Sequence, residues 1–293
     1  MPTQALVLVL LAGLIHASWN IAAKKAGGDV RFAAFSGLVI MVFWAPLGIY
    51  LAIDELPRWG ALQWALMLTS AVLHNLYFVV LLRGYRKADL TVVYPLARGS
   101  GPLLSSLLAI TLLGEQITAL GLLGIAGVIG GVLLIAGGPA LLRSQHDTAA
   151  QQRVRKGILY GLLTGVFIAA YTVVDGYAVK FALVSPILLD YVGNALRMAL
   201  LAPVLLSDRP TVRQMWRKQW KYALAVGIIS PVSYVLVLYA VQLAPLSHVA
   251  PAREVSMLFA ALIGGQLLGE GQRSLRLLGA ACIAAGVMAL AWA

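Results

Sequence analysis

Apolar runs long enough to cross a bilayer recur along the whole chain, separated by short polar connections. A helix rises about 1.5 Å per residue, so roughly 20 apolar residues traverse a hydrocarbon core of about 30 Å. On that measure the pattern predicts ten spans, at about 4–23, 32–53, 61–82, 90–112, 119–138, 157–177, 186–206, 222–241, 248–268 and 276–292. The first begins MPTQALVLVLLAGLIHASWN, with no Lys or Arg ahead of it, and reads as a retained helix rather than a cleaved signal.

The connections alternate in charge. Odd-numbered loops hold Lys24, Lys25 and Arg31; Arg83, Arg86 and Lys87; Arg143, Arg153, Arg155 and Lys156; Arg209, Arg213, Arg217, Lys218 and Lys221; and Arg273 with Arg276. Even-numbered loops hold only Arg58 and Lys180. Lys and Arg stay on the cytoplasmic side, which predicts both termini outside and suits a bacterial inner membrane.

Composition agrees: 61% of residues are hydrophobic and 11% charged, with mean hydropathy +0.88. A soluble domain carries about 25% charged residues. The net charge of +11 sits in loops between spans, the pattern of membrane topology and not of nucleic-acid binding. One cysteine, Cys282, excludes a disulfide framework or thiolate metal site.

The two halves repeat. LLAGLIHASWN (10–20) lies over LLTGVFIAAYT (162–172), setting Gly13 on Gly165 and Trp19 on Tyr171. Pro95 falls on Pro251. After a one-residue shift Gly114-Glu115 falls on Gly269-Glu270, and LGIAGVIGGV (123–132) on LGAACIAAGV (278–287). Each copy has five spans, an odd number, so the second enters upside down. The loop charges swap between copies as inversion requires. The reading is an all-α membrane protein: ten transmembrane helices as two inverted five-helix repeats around a central cavity. The repeats occupy 1–142 and 157–293, joined by a basic loop at 143–156.

With this organisation, the HASWN first span and the twice-used GE…LG…GV segment, the chain resembles the EamA-type family of the drug/metabolite transporter superfamily. The resemblance covers essentially the whole chain. It implies a ten-helix fold, a cavity between the halves, and transport of amino acids or related metabolites, often outward.

Charge at a helix centre costs roughly 2.5–3.5 kcal/mol on insertion scales, so intramembrane polar residues should face protein or a wet cavity. Helical spacing groups them into stripes. Asp190, Asn194 and Arg197 lie at i, i+4, i+7; Tyr94 and Arg98 at i, i+4; His16 and Asn20 at i, i+4 beside Trp19; Tyr171 and Asp175 at i, i+4; His74 and Tyr77 at i, i+3. Arg98 stands about eight residues into its span, roughly 12 Å deep, too far to snorkel easily. Asp190 and Asp175 fit a cavity or an interface equally, and an Arg197–Asp190 pair fits helix packing as well as substrate contact. Arg253 and Glu254 lie nearer a span end, where snorkelling competes. Pro95 and Pro251 each remove a backbone donor at matching places, so they are read as hinges of broken spans. Gly114-Glu115 and Gly269-Glu270 read as a helix stop and the acidic start of the next helix. Gly127 and Gly131, opposite Cys282 and Gly286 in the repeat, form small-residue faces for packing within one chain or between two copies.

No enzyme motif, metal-ligand spacing, cofactor motif or phosphate loop is legible, so no ATP drive is expected within the chain. The leading expectation is a secondary transporter for a small zwitterion: Arg98, with Arg197 or Arg253, for a carboxylate; Asp175 or Glu254 for an amine; Trp19, Tyr77, Tyr94 and Tyr171 for the remainder. Glu254, Asp175 and His16 are candidates for proton coupling. The alternatives are an organic-cation or drug exporter, in which Arg98 is structural, and a non-transporting receptor, scaffold or membrane-embedded enzyme.

Overall fold

The computed structural model describes residues 1–27, 30–88, 90–135, 148–206, 209–260 and 273–293, and among them it is helical with no strand. The first half holds α1 (Thr3–Ala26), α2 (Val30–Phe43), α3 (Ala45–Glu55), a short 3-10 turn (Leu56–Arg58), α4 (Ala61–Lys87), α5 (Leu90–Leu112) and α6 (Ala119–Ile135). The second holds α7 (Thr148–Lys180), α8 (Pro186–Leu206), α9 (Arg209–Leu243), α10 (Leu246–Ala252) and α11 (Arg273–Trp292). Among the described residues four helices are long and apolar enough to span by themselves, and a bent pair makes a fifth. Ala119–Ile135 and Leu277–Trp292 are shorter apolar helices.

Two spans differ from the sequence expectation. The span at 32–53 is not one straight helix: α2 and the α3 segment meet at 67°. Pro46, at the start of α3, has no N–H to continue the ladder from α2, so the chain restarts there. The fourth span is expected to break at Pro95, yet α5 runs through that position. Pro95 lies near the helix start, where a missing N–H removes a single bond and the rest of the ladder survives. The ninth span does break, just after Pro251: α10 ends at Ala252, a turn covers Arg253 and Glu254, and helical backbone resumes at 255–260. Tight bonds bridge the gap, from Glu254 N to Pro251 O (2.9 Å) and from Met257 N to Glu254 O (2.8 Å). Residues 261–268, the remainder of that span as read from the sequence, lie outside the described residues, as do Gly269 and Glu270.

The halves pack as inversion requires. α1 lies on α9 and its counterpart α7 on α4; α2 pairs with α8, and α6 with α11. The aligned glycines make matching close approaches. A Cβ on Gly13 would meet Val255 and Ser256 in the fourth span of the other half, and one on Gly165 would meet Ser100 and Gly101 in α5. Gly157, Gly161 and Gly165 form a stripe along α7 that admits α5. The small-residue faces of α6 and α11 are spent on each other, Gly127 facing Cys282 and Gly286.

Loop contacts sort into two ends. Gln219 Nε2 donates to Ala26 O (3.1 Å), and a Cβ on Gly84 would touch Tyr160, so the four basic segments they belong to share one end. At the other, Ser185 N donates to Glu55 Oε2 (3.4 Å), Gln63 Nε2 to Ala182 O (3.3 Å) and the Met1 amino group to Ala291 O (2.8 Å). The last of these bonds sets the two termini side by side. Single cysteines at Arg86, Gln152 and Lys218, in a C282A background, should react with an impermeant maleimide from one side of the membrane. Cysteines at Arg58 and Gln116 should react from the other. Labelling of Gln152 and Lys218 from opposite sides contradicts this packing.

Candidate functional site

The polar stripes of α1, α4, α5, α7 and α8 converge, because each of these helices offers lipid its apolar positions and turns its few polar ones inward. They enclose a cavity of about 400 Å³, completed by α9 and by Arg253 and Ser256 at and just beyond the ninth-span turn. Arg98, Arg197 and Arg253 line it with Asp190, His16, Asn20 and His74; Trp19, Tyr77, Tyr94 and Tyr171 supply its aromatic wall. The lining runs from mid-helix positions such as Gly13 and His74 to Leu81 and Tyr85, next to Arg86. It thus extends from the centre of the fold toward the basic end.

Three predicted residues do not line this cavity. Asn194 is buried and donates from Nδ2 to Gly37 O on α2 (3.0 Å), so it fastens α8 to α2 instead of facing the void. Glu254 lies behind the cavity, 1% exposed, with Arg98 Nη2 at 2.8 Å and Arg253 Nε at 3.7 Å. Asp175 is equally buried; it accepts from the Tyr234 hydroxyl and has His74 Nε2 at 3.8 Å. Arg253 does not snorkel: it lines the void beside Glu254. Asp190 is buried, with Arg197 at 3.8 Å.

Arg98 also donates from Nη2 to Ser256 Oγ (3.1 Å). Its Nε and that of Arg253 are buried without a hydrogen-bond partner among the described residues. Trp19 Nε1 reaches Ser233 Oγ across to α9 (3.2 Å). His74 stacks on Tyr171 with ring centroids 3.9 Å apart, and Tyr77 meets Tyr171 edge-on. The result is an aromatic wall facing guanidinium groups.

Sequence reasoning missed Tyr85, Ser230, Pro231, Ser233, Tyr234 and Ser256. Tyr234 stands three residues after Pro231, a proline inside α9, so the rule that pointed to Pro251 could have flagged it. Pro231 and Asp190 also border a second, apolar recess of about 130 Å³ beside the α2–α3 bend.

The acidic start expected after Gly114 is placed differently. Gly114 takes a left-handed φ of 68° beyond α5, as a helix stop should. Glu115, however, caps α10 of the opposite half, accepting from Leu246 N (2.7 Å) and Ser247 N (2.8 Å), with Lys180 Nζ at 3.5 Å. Thr118 Oγ1 caps the following helix instead, at Gly121 N (3.0 Å). With Ser106 Oγ donating to Ser247 O (3.1 Å), these bonds tie the halves together at the end opposite the cavity mouth.

The family model described as the EamA-like transporter family matches twice, over residues 3–137 and 155–292. The chain belongs to that family. The two matches cover nearly all of it and fall one on each repeat. A solved crystal structure has the same fold, with TM-score 0.74 at 17% identity over 99% of this chain and 96% of its own. No curated protein matches the sequence. An EamA-like transporter is a multi-pass integral membrane protein, and in this one a polar cavity lies between the halves.

Proposed function

We propose that the protein is a secondary transporter that moves a small amino-acid-like zwitterion outward across the bacterial inner membrane by alternating access. One observation carries the reading. The cavity is lined by the guanidinium side chains of Arg98 and Arg253 together with the Tyr77–Tyr171–His74 aromatic wall. Guanidinium donors suit a carboxylate and aromatic faces suit an ammonium or an apolar side chain. About 400 Å³ falls within the range of small-molecule sites, roughly 300–1,000 Å³. Alternating access fits a cavity that reaches toward one end while Glu115, Lys180 and Ser106 tie the halves at the other. The basic end is read as cytoplasmic from its Lys and Arg, which makes this the inward-open form.

A second reading has specific support. Arg98 already holds Glu254 at 2.8 Å, so it can be structural, leaving aromatic rings to receive an organic cation. The neutral pair R98Q/E254Q separates the two, because it removes the guanidinium without stranding the carboxylate. In liposomes given labelled amino acids, a zwitterion carrier loses a charge-assisted contact of about 1.5–3 kcal/mol, or about 10- to 100-fold in apparent affinity. An organic-cation carrier keeps its affinity. Wild-type protein that moves no amino acid under any imposed gradient removes the zwitterion reading.

A further inference from the structure

Four acidic side chains among the described residues stand in ion pairs or close polar contacts, and Asp175 differs from the other three. Glu254 lies between Arg98 and Arg253, Asp190 beside Arg197, and Glu115 beside Lys180. Within 4 Å of Asp175 the only basic group among the described residues is His74. Its Oδ2 accepts from Tyr234, and its Oδ1 has no hydrogen-bond partner among the described residues. Beside it is a void of only about 10 Å³, walled largely by apolar residues such as Val237, Leu246 and Val249. That barely admits one water. A bare carboxylate in such a place is costly unless it is neutralised or paired.

The histidine geometry points to what neutralises it. His74 Nδ1 lies 2.9 Å from the carbonyl oxygen of Ser70, an atom that can only accept, and 3.3 Å from the Ser70 hydroxyl, which can accept as well, so both contacts are met with hydrogen on Nδ1. A neutral ring then turns the lone pair of Nε2 toward Asp175 Oδ2, 3.8 Å away. A lone pair and a carboxylate oxygen repel unless a proton sits on one of them, as imidazolium against carboxylate or as imidazole against carboxylic acid. Either way the pair holds one proton more than its bare form. The pair is beyond hydrogen-bond length, so a small rotation closes or opens the transfer. His74 itself lines the cavity, whereas Asp175 does not.

We propose that Asp175 and His74 form a proton-binding site, with His74 as its door to the cavity, and that this site carries the coupling proton of transport. The role rests on the transporter reading; the proton site does not. The polar and titratable groups around the pair are Ser70 from α4, Tyr171 stacked on His74 from α7, Tyr234 from α9, Asp190 and Arg197 at longer range from α8, and Arg253 across the small void, while α10 adds apolar side chains. Glu254 is the weaker choice for this role because two guanidinium groups already neutralise it. His16 has no carboxylate within 4 Å among the described residues, so it has nothing to exchange with directly.

Infrared difference spectra of the purified protein between acid and alkaline buffer read the proton without any substrate. A titrating band from Asp175 or its imidazole partner should appear in wild type, vanish in D175N and shift in H74Q. Identical spectra for wild type and D175N overturn the proton site, whatever is transported. Coupling is read in liposomes as proton movement per substrate moved. One coupled proton lets a one-unit pH difference shift the substrate ratio about tenfold. That dependence should disappear from whatever flux D175N retains. A D175N flux that still follows the pH difference overturns the coupling role. Transport without amino-acid substrates, but with the Asp175 band intact, removes the proposed substrate and leaves the proton site standing.

Discussion

E254Q should be among the least stable single variants of this protein. Replacing the carboxylate leaves Arg98 and Arg253 close together within the bilayer, with their nearest counter-charge gone. Two terms oppose each other in the wild type. Burying the ions costs several kcal/mol each, and their attraction in a medium of low dielectric offsets that cost only while all are present. Removing one partner keeps the cost and deletes the offset, a loss of about 3–5 kcal/mol. R98Q should be destabilising for the mirror reason, since Glu254 is 1% exposed and is left with Arg253 at 3.7 Å alone. R98Q/E254Q should recover most of the loss. Thermal unfolding of all four proteins in detergent, read as a double-mutant cycle, measures the coupling. Additive losses would show that the pair is not the structural unit described here.

The path from sequence to site was open where a rule is local and closed where it depends on packing. Spans, loop charges and the inverted repeat are properties of short segments, so they are legible, and the family match over both halves agrees with the repeat. Stripe spacing identified five of the helices that contribute to the cavity, because lipid rejects polar groups wherever the helix lands, but it passed over α9. It did not identify which stripe members reach the void. Asn194 shares a face with Asp190 and Arg197, but α2 crosses close enough at Gly37 to claim its amide. Asp175 stands on such a stripe and Glu254 just beyond Pro251, yet neighbouring Tyr234 and Arg98 stand between them and open space. Glu115 was assigned to the helix that follows it because sequence reasoning sees neighbours in the chain; its true partner begins 131 residues later. Pro95 and Pro46 show the same limit. Identical chemistry leaves α5 continuous and bends the second span by 67°.

Two adjacent glycines on α6 should respond to the same substitution with opposite signs. Around Gly130 nothing lies within 4 Å of an added Cβ. G130A should therefore act through helix propensity alone, which favours alanine by up to about 1 kcal/mol. An added Cβ on Gly131 would lie 2.5 Å from the Gly279 carbonyl oxygen and 2.8 Å from Ile283 N. Both are backbone atoms of α11, so no side-chain rotation relieves the clash and the two helices must separate. Propensity and overlap then compete, and overlap wins: overpacking costs about 1–3 kcal/mol, with the upper end expected where backbone is displaced. G279A should match G131A, since its Cβ would meet the Gly131 carbonyl oxygen at 2.6 Å. Larger residues make the ordering steeper, with G131V unfolding before G131A while G130V, whose side chain has open space, loses only what a branched residue loses in a helix. Unfolding midpoints of the set in one detergent test the ordering. A G131A protein as stable as G130A would mean that α6 and α11 do not meet backbone to backbone. The small-residue face would then be free for a second copy of the chain.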